Sequence, residues 1–300
     1  MYLNEKSWKV QQDEPYLIDG AIRKFLDIYA AIKRKYPRLE IYVPENETII
    51  LQSTKYPFEK WLATVDREYQ RLYLSFWQKR ITYSPEDEYE IAFEGEELRG
   101  GTEAYLNDSF MISIGLTDKW KQELVVGELT ALRNDDERTV KVKNIFFKEQ
   151  LENKQIIDIF QKETGIRVCS YPELWRRRKD FFPHLSFCPS VENNLNILEN
   201  FYLNQIVKKL IELENYCNNY VDKRFDASLL TKTTIESRST IDKYNMEHTF
   251  IDETGASHVA SWHMRFTGIP GRIFFIPEYS ENSMLICYIG KKLKNVTYPT

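Results

Sequence analysis

The spacing of the apolar residues changes partway along this chain, and that change restricts what it can fold into. Residues 17–36 place apolar side chains every three or four positions, which is the period of an amphipathic helix. Three basic residues, 33–35, lie at the end of this stretch and Pro37 follows it, as is typical of a helix C-terminus. Residues 58–80 have the same period. The sequence therefore predicts two long helices, with short strands at 40–43 and 48–52 between them.

Beyond residue 88 the apolar runs become short and β-like. They occupy residues 89–93, 104–106, 109–114, 123–129 and 139–145, and Gly, Asn and Asp residues separate them. We expect an antiparallel meander, followed by a helix over 147–164 that ends at Gly165. Helices followed by a sheet indicate an α+β domain over residues 1–170.

A run of four adjacent cations marks a change in composition within residues 171–183: Arg176, Arg177, Arg178 and Lys179. One interpretation is a charged surface connector between two domains. The other is a phosphate-binding patch, because adjacent cations can contact several phosphates of a nucleic-acid backbone. Either way, we place the domain boundary at 171–183.

Residues 184–300 predict a second α+β domain. A strand at 185–187 precedes a helical stretch, 189–221, that breaks near Asn200 into a pair of helices. Residues 223–245 are rich in Ser and Thr and predict a loop or a short helix capped by a hydroxyl. Three strands follow, at 256–266, 272–276 and 284–289, and we expect them to form a small curled antiparallel sheet.

Composition excludes several classes of protein. The 300 residues are 42% hydrophobic, enough to bury a core in two domains, and the net charge of −4 excludes a globally basic nucleic-acid coat. No apolar run reaches the roughly 18–20 residues of a membrane helix, and no secretory signal is recognisable. Four scattered cysteines favour reduced thiols, so we expect a cytoplasmic protein. Nucleotide-binding, hydrolase and zinc-protease motifs are absent, as are clustered Cys and His ligands, so we expect no cofactor and no metal.

The strongest candidate site lies in the last forty residues. His263 and Arg265 alternate onto one face of a strand, and Arg272 begins the next strand. Lys291 and Lys292 come just after the third. Cleavage of RNA by its 2′-hydroxyl needs a base, an acid and a cation, and histidine and arginine supply these groups. The pattern predicts His263, Arg265 and Arg272 as catalytic residues and the two lysines as nucleic-acid ligands.

The order of a strand, a helical pair and an antiparallel sheet resembles the RelE/ParE toxin superfamily over about residues 185–300. The resemblance is carried by Leu185-Ser-Phe, by the helices at 191–221, and by the strands Gly271-Arg-Ile-Phe-Phe and Leu285-Ile-Cys-Tyr-Ile-Gly-Lys-Lys. It implies a toxin-like or phage-defence protein that binds RNA or cuts it on the ribosome without a metal. His263 would then be the general acid or base, and Arg265, Arg272 and Lys291 would hold the scissile phosphate.

Other interpretations stay open. His263 could be a half-buried sheet residue, with both arginines paired to carboxylates. The lack of a catalytic signature also suits a non-enzymatic, protein-binding subunit of a defence or toxin–antitoxin assembly. Glu236 could pair with Arg238 or reach the terminal cations, and the alternative is that residues 236–240 form a capping or turn element. A magnesium site is conceivable at the carboxylates around Gly100-Gly101, which are Glu94, Glu96, Glu97, Glu103 and Asp108.

Overall fold

The computed structural model confirms an α+β protein and divides it into two compact units, Met1–Gly165 and Ile166–Thr300. The residues that the structure describes are 1–9, 14–45, 56–84, 88–132, 136–164, 166, 168–219, 224–267, 270–280 and 282–296. The strand predicted at 48–52 lies outside them. The two units meet in sequence a few residues before the predicted connector, whose residues belong to the second unit.

The first unit contains an eight-stranded mixed sheet with helices. Its strands are β1 (Tyr2–Leu3), β2 (Tyr42–Pro44), β3 (Ile81–Tyr83), β4 (Tyr89–Phe93), β5 (Glu96–Glu97), β6 (Met111–Ile112), β7 (Leu124–Ala131) and β8 (Asp136–Ile145). Its helices are α1 (Pro15–Lys35), α2 (Phe58–Thr64), α3 (Arg67–Lys79), α4 (Arg99–Leu106) and α5 (Lys154–Thr164). The order across the sheet is β3-β2-β1-β6-β8-β7-β4-β5.

Only half of this sheet follows the predicted meander. β7, β8, β4 and β5 pair antiparallel, as expected. β3, β2, β1, β6 and the end of β8 pair in parallel, so the sheet is mixed. The helical connections explain the difference, because parallel neighbours need a crossover and the segments between β1, β2 and β3 are long enough to hold α1, α2 and α3.

The predicted helix over 17–36 is confirmed as α1, which buries Ile18, Ile22, Phe25 and Ile32. The predicted helix over 58–80 is two helices. Asp66 separates them because its carboxylate accepts the backbone N–H groups of Glu68 and Tyr69, both at 3.2 Å, and so begins α3.

The strand predicted at 104–106 is wrong, because these residues lie in α4. Glu5, distant in sequence, caps this helix by accepting the backbone N–H groups of Arg99 at 2.7 Å and Gly100 at 3.0 Å. Gly100 also lets the helix approach β1 closely, since a Cβ there would lie 1.9 Å from the carbonyl oxygen of Leu3. Both contacts are tertiary, so local pattern could not reveal the helix.

The second unit contains a five-stranded sheet, a two-stranded hairpin and four helices among the described residues. The helices are α6 (Tyr171–Phe181), α7 (Ser190–Asn196), α8 (Leu203–Asn219) and α9 (Arg238–Lys243). The strands are β9 (Leu185–Phe187), β10 (Thr233–Ile235), β11 (Thr249–Ile251), β12 (Ser257–Val259), β13 (Trp262–Phe266), β14 (Gly271–Ser280) and β15 (Ser283–Lys291).

The five-stranded sheet has the order β10-β13-β14-β15-β9, and β9 alone joins it in parallel among the described strands. The predicted helical pair is confirmed as α7 and α8. The predicted hydroxyl cap is also confirmed, because Ser237 Oγ accepts the backbone N–H of Thr240 at 3.2 Å and begins α9. β10 and β11 were not predicted, since each has three residues and little apolar pattern.

Most of the predicted connector, 171–183, is helical, because α6 covers Tyr171–Phe181 and contains the basic run. Ser170 caps α6 by accepting the backbone N–H of Glu173 at 3.3 Å. Tyr171 and Leu174 are buried in the core of the second unit. The run therefore lies on a packed helix, and its four consecutive side chains point around the helix, with Arg176 and Lys179 exposed and Arg177 and Arg178 half-buried.

Candidate functional site

The three predicted catalytic side chains lie together on one face of the second unit's sheet. Arg265 on β13 pairs directly with Arg272 on β14, and His263 pairs with Phe274. Alternation places His263, Arg265, Arg272 and Phe274 on the same face. The three residues therefore share one face, whereas Lys291 pairs with Gly271 and so lies on the opposite face from Arg272.

All three side chains are buried. The exposed fractions are 2% for His263, 2% for Arg265 and 3% for Arg272. The imidazole of His248 contributes to the cover, with its ring centroid 5.1 Å from that of Phe274. An RNA strand cannot contact side chains that are this deeply buried. Their catalytic role stays a prediction, and it requires a movement that uncovers this face.

His263 lies between a hydroxyl and a carboxylate. Its Nε2 is 3.1 Å from Thr234 Oγ1, and its Nδ1 is 3.5 Å from Glu236 Oε1. The sequence suggested Arg238 or the terminal cations as partners of Glu236, but Arg238 lies 3.9 Å from Asp242 instead. The alternation along β10 brings Thr234 and Glu236 to His263, because Thr234 pairs with His263 across the two strands. This arrangement can orient an imidazole and carry a proton.

A different group of cations lies at the end of β15 and just after it. β15 ends at Lys291, and the chain continues through Lys292 and Lys294 to Val296, which we call the lysine tail (residues 291–296). The backbone N–H of Lys292 donates to Pro270 O at 2.7 Å, and that of Val296 donates to Thr240 Oγ1 on α9 at 3.5 Å. Lys291 and Lys294 are exposed, Lys292 is half-buried, and the tail contains no carboxylate side chain.

The basic run on α6 is largely paired with carboxylates. Arg177 bonds Glu173 at 3.2 Å, while Arg178 and Lys179 reach Glu253 at 3.4 and 3.7 Å. The guanidinium of Arg178 also stacks on Trp175, 3.7 Å from the ring centroid. Arg176 is exposed. This run therefore ties the tip of the β11–β12 hairpin to α6, and few of its charges are left for phosphate.

Asp252 is a buried centre that the sequence analysis missed. Its carboxylate accepts the Thr254 hydroxyl at 2.6 Å, Tyr279 Oη at 2.7 Å and His258 Nε2 at 2.7 Å. These hydrogen bonds hold the pKa of Asp252 well below its usual range, and the same carboxylate raises the pKa of Tyr279 to about 12. The sequence Asp-x-Thr-Gly at 252–255 is a turn signal, and it could have revealed Asp252 as the hydrogen-bonded residue of this turn. The bonds order the hairpin tip.

Lys209 was also missed, because it lies within an amphipathic helix. Its amine is fully buried on α8, hydrogen-bonds Thr231 Oγ1, and lies 3.2 Å from Glu212. Burial lowers its pKa to about 8. No sequence signal distinguishes it from the neighbouring Lys208.

The carboxylates around Gly100-Gly101 do not gather around a common centre. Four of them pair with separate cations: Glu94 with Lys119, Glu96 with Lys6, Glu97 with Arg99 and Asp108 with Lys143. The fifth, Glu103, is buried and accepts Asn107 Nδ2 at 3.0 Å. Among the described residues no group of three or more Cys, His, Asp or Glu side chains is arranged to hold a metal.

The parallel half of the first unit has a topological switch point between β1 and β6, where open α/β sheets often bind ligands. Here the position is filled by a buried polar network. Asn4 Nδ2 donates to Ser113 Oγ at 2.8 Å, and that hydroxyl donates to Asn144 Oδ1 at 2.7 Å. The network links β1, β6 and β8, and we assign it a structural role.

Comparison of the chain with protein-family models, with curated proteins and with solved structures finds no match. Within the described ranges, no helix has both the length and the apolar character that a membrane span requires. The functional argument therefore rests on the residues themselves.

Proposed function

We propose that the second unit binds the phosphate backbone of single-stranded RNA through the lysine tail. The observation that carries this proposal is the position of Lys291, Lys292 and Lys294, three cations within four residues at the surface end of β15. An extended tail of this length spans at most about 17 Å, which is the scale of a few nucleotides. Lysines contact phosphates as point charges and carry no sequence information.

The expected effect follows from counterion release. Each phosphate contact on a single strand contributes a slope of about −0.7 to the plot of log affinity against log salt concentration. One contact therefore makes the affinity about fivefold higher at 0.1 M salt than at 1 M salt. Loss of all three contacts should weaken binding about 100-fold at 0.1 M salt. The choice of RNA over DNA is supported by the resemblance to the RelE/ParE superfamily.

The test is fluorescence anisotropy with a labelled single-stranded RNA and the variant in which Lys291, Lys292 and Lys294 are all alanine. Lys24→Ala is the matched control, because Lys24 is an exposed lysine on α1 of the first unit. We expect the triple variant to lose affinity and the control to keep it. Equal affinities, or no binding by the unchanged protein, would refute the proposal. DNA of the same sequence shows whether the 2′-hydroxyl contributes.

RNA cleavage is a second candidate, favoured by the placement of His263, Arg265 and Arg272 on one face with Thr234 and Glu236 at the imidazole. Because these side chains are buried, cleavage needs the cover over them to open. His263→Ala should then reduce metal-independent cleavage by about 10²–10⁴-fold and leave RNA affinity unchanged. The assay incubates RNA with translating ribosomes and a chelator. RNA that stays intact with the unchanged protein would contradict this candidate.

A protein-binding role has one supporting observation, the outer face of the β11–β12 hairpin. Ile251 is 60% exposed there, and Val259 is exposed on the same face. If this face binds a protein, Ile251→Asp should abolish co-purification of that partner. A partner retained by the variant would exclude this face.

A further inference from the structure

Two buried thiols of the second unit lie at neighbouring positions on adjacent strands. β9 and β15 pair in parallel, with Phe187 opposite Ile286, so the next residues are Cys188, directly after β9, and Cys287 on β15. The backbone N–H of Cys188 donates to Ile286 O at 2.9 Å, which continues the ladder to this level. Both cysteines are fully buried, and the Cys287 thiol donates to Leu285 O on its own strand at 3.6 Å.

This geometry suits a disulfide bond. Paired strands lie about 4.8 Å apart, which falls within the 4.4–6.8 Å that disulfides allow between their Cα atoms. Cys287 also lies at a β-bulge, since Phe274 pairs with Tyr288 while Phe275 pairs with Ile286. The extra residue has no partner on β14, so its backbone can adjust without breaking a ladder bond on that side.

We propose that Cys188 and Cys287 form a redox-sensitive cross-link that fixes the edge strand β9 to β15. The oxidant class is a low-molecular-weight disulfide such as glutathione disulfide. The Cys188 thiolate attacks one sulfur of the oxidant and releases one glutathione thiolate. The Cys287 thiolate then attacks the Cys188 sulfur of the mixed disulfide and releases the second. The protein loses two protons and two electrons, and glutathione disulfide becomes two glutathione molecules.

The two thiols differ in acidity. Interaction with Cys287 lowers the pKa of the Cys188 thiol, while the same interaction and burial raise the pKa of Cys287. The lower pKa supports Cys188 as the first nucleophile. Because both thiols are fully buried, reaction with an external disulfide requires this part of the unit to open locally.

The experiment uses the full chain with Cys169→Ser, which removes the exposed thiol. The folded protein is incubated in glutathione buffers of increasing oxidised fraction, followed by intact-mass analysis and peptide mapping. We expect loss of two hydrogen masses, a Cys188–Cys287 peptide, and hydrogen exchange of the β9 amides slowed about tenfold by the cross-link. Adding Cys188→Ser or Cys287→Ser to this background should each abolish the mass loss, so the test does not depend on one variant folding.

Three results would overturn the proposal. The first is a folded protein that keeps all its thiols under conditions that oxidise the unfolded chain. The second is a stable glutathione adduct that does not proceed to the cross-link. The third is a disulfide to Cys217 in place of the Cys188–Cys287 pair. None of these readouts uses RNA, so they stand apart from the RNA-binding proposal.

Discussion

Gly100 offers a test of how the first unit is assembled, because alanine at this position has no room. A Cβ there would lie 1.9 Å from Leu3 O, 2.8 Å from the carbonyl carbon of Leu3 and 3.1 Å from a carboxylate oxygen of Glu5. α4 must move by about 1 Å or more to relieve the clash, and that movement stretches both capping bonds from Glu5. Overpacking costs about 1–3 kcal/mol and a charged hydrogen bond about 1.5–3 kcal/mol, so we expect Gly100→Ala to destabilise the unit by about 4 kcal/mol.

Gly20→Ala is the matched control for that variant. Gly20 lies inside α1, and a Cβ there would meet no atom within 4 Å. Because alanine favours a helix interior over glycine, this variant should stabilise the same unit by about 0.5–1 kcal/mol. The assay is urea unfolding with hydrogen-exchange mass spectrometry, which reports peptides of the two units separately. Similar stabilities for the two variants would refute the proposed close contact between α4 and β1.

Two further predictions concern the second unit. Because burial lowers the pKa of Lys209 from 10.5 to about 8, the folded protein binds fewer protons than the unfolded chain between these values. The free energy of unfolding should therefore gain about 3 kcal/mol from this residue as the pH rises from 8 to 10.5. Lys209→Met should lack this gain in pH-dependent urea unfolding, and equal pH dependence in both proteins would contradict the assignment. Glu253→Gln removes the ion pairs to Arg178 and Lys179, so amides 249–259 should exchange faster while stability falls by less than about 1 kcal/mol. Glu247→Gln, at another exposed carboxylate, is its control, and unchanged exchange in Glu253→Gln would exclude the tie to α6.

Local pattern predicted the elements whose stability depends on their own sequence. α1 carries a continuous apolar stripe and a clear stop at Pro37, and it formed as expected. α4 could not be predicted, because its cap comes from Glu5 and its fit depends on Gly100 against β1. β10 and β11 are too short and polar to show a strand period.

The candidate site likewise has features that the local sequence predicted and features that it could not predict. Alternation along β13 predicted that His263 and Arg265 share a face, and pairing with β14 adds Arg272 to it. Their burial depends partly on His248, which comes from a segment with no apolar pattern. The pairing of Arg178 with Glu253 likewise joins residues distant in sequence. The alternation of side chains along a strand predicts which residues share a face of the sheet. Their burial and their ion pairs depend on tertiary contacts, which the local sequence does not show.

The salt dependence of RNA affinity tests the central claim most directly. For the unchanged protein, log affinity against log salt from 50 to 300 mM should have a slope of about −2 or steeper, and loss of Lys291, Lys292 and Lys294 should make it shallower by about 2. A slope that stays the same in the triple variant would show that the lysine tail does not contact phosphate.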